Sequence, residues 1–463
     1  MMSKKKIKSA LISVYCKDNL ESIIKILRKH GVSIYSTGGT FDFIKNIAEV
    51  SSVESLTGYP SILGGRVKTL HPKIFGGILS RRDNSSDKED LTKYCIPEID
   101  LIIVDLYPFS DTLASGTSHE EIVEKIDIGG ISLIRAAAKN YRDTLVVASR
   151  NRYDALLELL QSKNGATDIN DRIRYASDAF ETAASYDRDI ADYFATLLNE
   201  QKFAVSISPA RELRYGENPH QTGVFYGKSD DIFTQLHGKE ISYNNLLDID
   251  AAFALIADFE ETTCAIIKHN NACGCASDSN LSEAWKKALG GDPVSAFGGV
   301  IITNKPIDMN VAEEINKLFF EIILAPGYSE SALNLLKCKK NRIILDIKSN
   351  TRPKKQFRSV LNGVLVQDID NIAEDISFLK QVTKKAPTDT EICDLLFANK
   401  LAKHSKSNAI ILAKNRQLLA SGAGQTSRID ALKQAVEKAK NFGFSLSGAV
   451  MASDAFFPFP DCV

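Results

Sequence analysis

Three runs decide how the chain begins: Ile7-Lys-Ser-Ala-Leu-Ile-Ser-Val14, Leu20-Glu-Ser-Ile-Ile-Lys-Ile-Leu-Arg-Lys-His30, and Val32-Ser-Ile-Tyr35, which runs into Ser36-Thr37-Gly38-Gly39-Thr40. The first and third have the short apolar character of β-strands. In the second, Leu20, Ile23, Ile24 and Leu27 fall on one helical face, and Gly31 follows as a stop signal. Strand, helix and strand over about 30 residues predict a parallel βαβ unit. Leu101–Val104 reads as another buried strand, closed by Asp105-Leu106-Tyr107-Pro108-Phe109, and Asp168–Leu198 has a helical pattern without Gly or Pro.

The second half is again α/β in pattern. Cys264–Ile267, Val300–Thr303 and Ala409–Ala413 read as strands, and Ile429–Phe442 as a helix. A boundary is expected near Phe203–Pro209, which divides the chain into segments 1–200 and 201–463. No short-period repeat or low-complexity segment is evident.

Composition narrows the function. The chain has 463 residues, 57 Lys and Arg against 58 Asp and Glu, and a 44% hydrophobic fraction. These are globular values, and a near-zero net charge argues against a dedicated nucleic-acid binder. No window approaches the ~18 apolar residues of a membrane span. The basic start Met1-Met2-Ser3-Lys4-Lys5-Lys6 precedes an apolar stretch, Ala10–Val14, too short for a signal peptide. A cytoplasmic protein is expected. The eight cysteines are scattered, and only Cys273-Gly-Cys275 is close-spaced, so neither a disulfide framework nor a metal site is expected.

Five segments have the residue types of a site. Ser36–Thr40 stands at a strand end before a helix, where backbone N–H groups and hydroxyls can hold a phosphate, with Lys17 adding charge; a bare turn is the other reading. Gly64-Gly-Arg-Val-Lys-Thr-Leu-His-Pro-Lys73 packs cations into a glycine-shaped loop. Ile126–Asn140 sets Asp127 before a Gly-Gly pair and Lys139 at the end of an Ala-rich helix, where a cap and an ordinary terminal charge are also possible. Lys268-His269-Asn270 ends a strand with a cation beside a group that titrates near neutrality. Ser421–Arg428 lacks the third glycine of a dinucleotide fingerprint but leaves a phosphate-gripping turn with Arg428 as partner. P-loop and zinc-deaminase signatures are absent.

Together the chain resembles the bifunctional family that combines AICAR transformylase with IMP cyclohydrolase. The resemblance runs end to end through Ser36–Thr40, Gly65–Lys73, Asp105–Phe109, Ile126–Asn140, Leu213–Gln221, Ile241–Asp250, Lys268–Gly274, Asp292–Gly299, Leu324–Tyr328, Ser421–Arg428 and Ala452–Phe459. It implies a methylglyoxal-synthase-like α/β domain followed by two cytidine-deaminase-like α/β subdomains without zinc. It implies formyl transfer from 10-formyltetrahydrofolate, as co-substrate, to AICAR, then cyclisation of formyl-AICAR to IMP. A homodimer is implied, and no metal.

The resemblance further implies that Lys68, Tyr107, Asp127 and Lys139 surround the cyclisation. Lys17, Ser36, Thr37, Gly39, Thr40, Arg66 and Thr69 would hold the ribose phosphate and its surroundings. For formyl transfer it implies His269 as base, Lys268 at the oxyanion or leaving nitrogen, and Asn408 on the formyl group. Arg214, Tyr215, Asn245, Glu321 and Arg428 would contact the nucleotide, and Phe456 the folate. Family members continue beyond the last matching segment, whereas this sequence stops at Val463, which sets up an alternative: a cyclohydrolase with an impaired transformylase half. A non-catalytic nucleotide-sensing module is a third reading, but it would not need Lys68, Tyr107, Asp127 and Lys139 together.

Overall fold

Leu101-Ile-Ile-Val104 is apolar at every position, as a strand covered on both faces must be, and all four residues are buried. It is the fourth strand of a five-stranded sheet in the computed structural model, which describes residues 4–349, 351–372, 374–457 and 459–462. Met1, Met2, Ser3, Pro458 and Val463, noted in the sequence, lie outside the described residues. The chain divides into two units, Met1–Phe203 and Ala204–Val463.

In the first unit the main elements run β1 (Ser9–Ser13), α1 (Leu20–Lys29), β2 (Ser33–Ser36), α2 (Gly38–Ile44), β3 (Ser51–Ser52), β4 (Leu101–Val104), α3 (Gly129–Lys139), β5 (Leu145–Val147) and α4 (Ile169–Leu197), with further helices between. The sheet order is β3-β2-β1-β4-β5, all parallel. Side chains alternate between its two faces. Ala10, Ile12, Ile34, Leu101, Ile103 and Val147 pack with Leu20, Ile23, Ile24 and Leu27 of α1. Leu11, Ile102, Val104 and Val146 pack on the other face with Leu133 and Ile134 of α3 and Ala176 and Ala179 of α4. Each fully buried aliphatic side chain contributes about 1.5–3 kcal/mol, so the sheet has a single register. Its order reverses direction beside β1, and in such sheets the carboxyl ends of the strands leave a crevice at that point.

The second unit contains β6 (Phe233–His237), α5 (Tyr243–Ile256), β7 (Thr263–Lys268), β8 (Asn271–Ser277), α6 (Leu281–Gly291), β9 (Val300–Thr303), β10 (Ile322–Ala325), β11 (Ile343–Ile347), α7 (Asp389–Lys403), β12 (Ile410–Lys414), β13 (Gln417–Gly422), α8 (Arg428–Asn441) and β14 (Val450–Ser453). They build one mixed nine-stranded sheet, β6-β11-β10-β9-β7-β8-β13-β12-β14. The sheet has two strand groups, one running from β6 to β8 and the other from β13 to β14. They meet where β8 pairs β13 at one position, Ala276 opposite Gln417. A hairpin of Lys355–Val360 and Gly363–Asp368 stands out from this body with every residue exposed.

Candidate functional sites

The crevice of the first unit is a cleft of about 690 Å3. The end of β1 contributes Tyr15 and Lys17, and the turn after β2 contributes Thr37, Gly38, Gly39 and Thr40. The basic loop adds Arg66, Lys68 and Thr69, the segment after β4 adds Asp105 and Tyr107, and the start of α3 adds Asp127 with Gly129 and Gly130. Five stretches far apart in sequence thus face one space.

Asp127 is fixed by the start of the helix that follows it. Its Oδ1 accepts the Gly130 N–H at 2.6 Å, capping α3. A Cβ at 130 would lie 2.8 Å from Asp127 Oδ2, so a larger residue there would displace that carboxylate. Burial pushes the Asp127 carboxyl above the usual carboxylate range, although N–H groups of Gly130, Ile131 and Tyr107 oppose this. Burial also raises Asp105, which accepts the Cys16 N–H at 3.0 Å and the Tyr15 N–H. Two carboxyls reluctant to ionise therefore face Lys17, Lys68 and Lys125. Lys125 Nζ sits 5.6 Å from the centre of the Tyr107 ring, and Lys17 Nζ donates to the Tyr15 carbonyl at 2.9 Å.

Not every expected group joins them. Lys139 ends α3, ten residues beyond Gly129, and is exposed. At about 1.5 Å per residue it stands about 15 Å along the helix from the cleft. Ser36 is fully buried and donates its hydroxyl to the Ile12 carbonyl at 2.7 Å, stitching β2 to β1. The Thr40 hydroxyl is engaged with both backbone groups of Val14, at 2.9 and 3.1 Å. Thr37 lines the cleft but donates to Glu54 at 3.2 Å. Arg66 pairs with Glu124, which also lines the cleft. Asp105 and Lys125 were missed as site residues, although each lies in or beside a segment whose chemistry was legible.

In the second unit, β7 and β8 are joined by a two-residue turn, His269-Asn270, with Lys268 opposite Asn271. Both turn residues have left-handed backbone, with φ of 50° and 64°, as tight hairpin turns demand. The Asn270 N–H donates to Asp248 of α5 at 2.7 Å. Lys268 Nζ donates to the carbonyls of Phe297 and Gly298 at 2.9 and 3.1 Å. Burial raises Asp248, and the charges of His269 and Lys268 oppose that while Glu321 adds to it. Asp248 was missed; its segment was legible but its role depends on a turn 22 residues away.

A second cluster surrounds Arg428 at the start of α8. Its Nη1 donates to Asn408 Oδ1 and Asp454 Oδ1, each at 3.0 Å, and its Nε donates to the Phe456 carbonyl at 3.2 Å. Asn408 Nδ2 donates to the Gln425 and Thr426 carbonyls at 3.1 and 3.3 Å. Burial works against the Asp454 charge, but the Ser407 hydroxyl, the Ala409 N–H and Arg428 outweigh it and hold its carboxyl low. Asn271 connects the clusters: its Nδ2 donates to the His269 carbonyl at 2.9 Å, and its Oδ1 accepts the Lys406 N–H at 3.5 Å.

The remaining expected contacts are mixed. Asn245 is buried as the third residue of α5, in a reciprocal capping box with Ser242 at 3.1 and 3.2 Å, so its Oδ1 is spent on the fold. Glu321 is paired with Lys239. Arg214 lies over the Tyr215 ring at 5.6 Å. Phe456 is 80% exposed. Among the described residues no group of three or more His, Cys, Asp or Glu could hold a metal, and no helix is long and apolar enough to cross a membrane.

This fold and these clefts define a two-part α/β protein whose beginning is of methylglyoxal-synthase type: residues 19–132 match the MGS-like domain. Residues 137–438 match the family described as AICARFT/IMPCHase bienzyme, and the chain belongs to that family. A bifunctional purine biosynthesis protein PurH of Bacteroides thetaiotaomicron is 61% identical over 464 residues, covering 100% of this chain and 91% of that protein. One of the same description from Aquifex aeolicus is 44% identical over 98% of this chain and 91% of its own length.

Proposed function

We propose that the chain transfers a formyl group from 10-formyltetrahydrofolate to AICAR and then closes formyl-AICAR to IMP with loss of water. The observation that carries this reading is the match, at 61% identity and without loss of either half, to a protein named as bifunctional in purine biosynthesis. Because that match covers both units, the alternative of a cyclohydrolase with a disabled second half is set aside. A nucleotide sensor is disfavoured by the meeting of Lys68, Tyr107 and Asp127 in one cleft.

In the cyclisation the carboxamide nitrogen attacks the formyl carbon and water leaves. Lys68 polarises the formyl oxygen, and Asp127 and Tyr107 move protons between nitrogen and the departing oxygen. Lys17 and the Thr37–Thr40 turn hold the phosphate. A carboxyl that burial keeps reluctant to ionise suits a group that must both take and return a proton.

In the transfer the AICAR amine is a poor nucleophile, its lone pair delocalised into the ring. His269 takes its proton as it attacks, and Lys268 meets the developing oxyanion or leaving nitrogen. Asn408, oriented by Arg428, holds the formyl group. Arg214 and Tyr215 grip the nucleotide. The chain works in the cytoplasm as a homodimer. The exposed Phe357, Leu361 and Leu365 of the projecting hairpin favour an assembled state, since a lone two-stranded ribbon is marginal in water.

The test is to incubate the purified chain with AICAR and 10-formyltetrahydrofolate and identify the nucleotide formed. IMP is expected. Formyl-AICAR converted only when supplied directly would overturn the transfer reading and leave cyclisation. Lys68→Ala should abolish cyclisation alone, and His269→Ala transfer alone.

A further inference from the structure

Tyr186 lies on α4, 59 residues from Asp127 in sequence, and is buried. Its ring packs edge-on to Phe109 with centroids 6.1 Å apart, in a small apolar cluster with Ile122 and Tyr193. Its hydroxyl makes two hydrogen bonds of opposite sense. It accepts the Asp127 N–H at 2.8 Å and donates to the Lys125 carbonyl at 3.1 Å. One oxygen therefore clamps both ends of the Lys125-Ile126-Asp127 segment, and all three of those residues line the cleft.

The clamp has a consequence on each side. The Asp127 carboxylate meets Gly130 from a backbone held by Tyr186, and Lys125 reaches the Tyr107 ring from the other end of the same segment. Burial pushes the Tyr186 phenol up to about 12, so it keeps the proton it donates at neutral pH. We infer that Tyr186 is a positioning residue for cyclisation: its hydroxyl sets where the Asp127 carboxylate and the Lys125 ammonium stand in the cleft, without itself touching the nucleotide. This rests on the reading that Asp127 moves protons in that reaction.

Tyr186→Phe removes the hydroxyl and keeps the ring. Expected is a fall in kcat for formyl-AICAR conversion of about tenfold or more, the scale on which small misplacements act, with KM changed less than about twofold because the phosphate cradle is built on other strands. A purely structural role would lower the melting temperature and leave kcat per folded molecule unchanged, and that result overturns the inference. So does a rise in KM at unchanged kcat. Asp127→Asn is measured alongside. If it retains full cyclisation, the proton-transfer reading of Asp127 fails. If it is inactive while Tyr186→Phe is fully active, only the present inference fails. Should Tyr186→Phe not fold, hydrogen–deuterium exchange of the 123–128 segment in the unaltered chain decides: a slow Asp127 amide is expected, and one that exchanges as freely as an open loop overturns the clamp.

Discussion

Asp248, on a helix of the second unit, accepts the backbone N–H of Asn270 at 2.7 Å and so ties that helix to the turn carrying His269. The turn holds two non-glycine residues in left-handed backbone, each at a cost of about 1 kcal/mol or more. A carboxylate receiving the turn's N–H offsets part of that cost. Asp248→Ala should lower formyl transfer about tenfold or more. Asp248→Asn, which keeps an acceptor oxygen, should recover part of the loss. Steady-state rates of both variants decide, and equal rates for the two would count against the acceptor role.

Asp454 is the next test. Its side chain is 14% exposed and that of Arg428 10% exposed, 3.0 Å apart. Asp454 lies at the surface, so removing it leaves Arg428 without its carboxylate at a cost of about 1 kcal/mol. Asp454→Ala should therefore shift the urea midpoint of the second unit. It should also reduce formyl transfer, because Arg428 orients Asn408. Unchanged denaturation would refute the pair's contribution.

Gly65 has a φ of 93°, and a Cβ there would lie 2.9 Å from Lys68 Cε. Gly65→Ala strains the loop and displaces the ammonium. A loss of about tenfold or more in cyclisation is expected, with formyl transfer unaffected. The two assays run on one preparation provide the check.

Asp127 titrates above the usual carboxylate range because burial disfavours its charge. Two signs follow. As a proton acceptor it loses activity as pH falls through that raised value, so the acid limb of cyclisation should lie above the range of an ordinary carboxylate. For stability, ionisation costs more in the folded than in the unfolded chain. The penalty is absent below the unfolded pKa and complete above the folded one. Asp127→Asn should thus abolish cyclisation yet raise the melting temperature near neutral pH, a gain that should vanish in acid. Scanning calorimetry at two pH values tests it.

Much of the fold was legible because period and punctuation agree locally. Leu20, Ile23, Ile24 and Leu27 point one way on a 3.6-residue repeat, and all four are buried in α1. Leu101–Val104 is read correctly to the residue, since a strand covered on both faces is apolar throughout and this run is too short and β-branched for a buried helix. The cleft was partly legible: glycine turns and cations at strand ends announce a site for an anion. Individual roles were less so. Ser36 and Thr40 have hydroxyls suited to phosphate, but each is committed to a neighbouring strand's backbone. Asn245 three residues after Ser242 had a capping signature that competes with ligand binding.

The residues themselves determined the βαβ opening, the division into two α/β halves, the family and the segments that hold the chemistry, because each of these depends on neighbours within a few turns of chain. Tertiary structure alone decided which groups meet. Lys139 shares a motif with Asp127 yet stands a helix length away, because an α-helix rises about 1.5 Å with every residue. Tyr186 shares no motif with Asp127 yet holds its N–H at 2.8 Å, because packing α4 against the sheet brings its hydroxyl to that turn. Hydrogen bonds act over about 3 Å of space, and separation along the chain does not measure that distance.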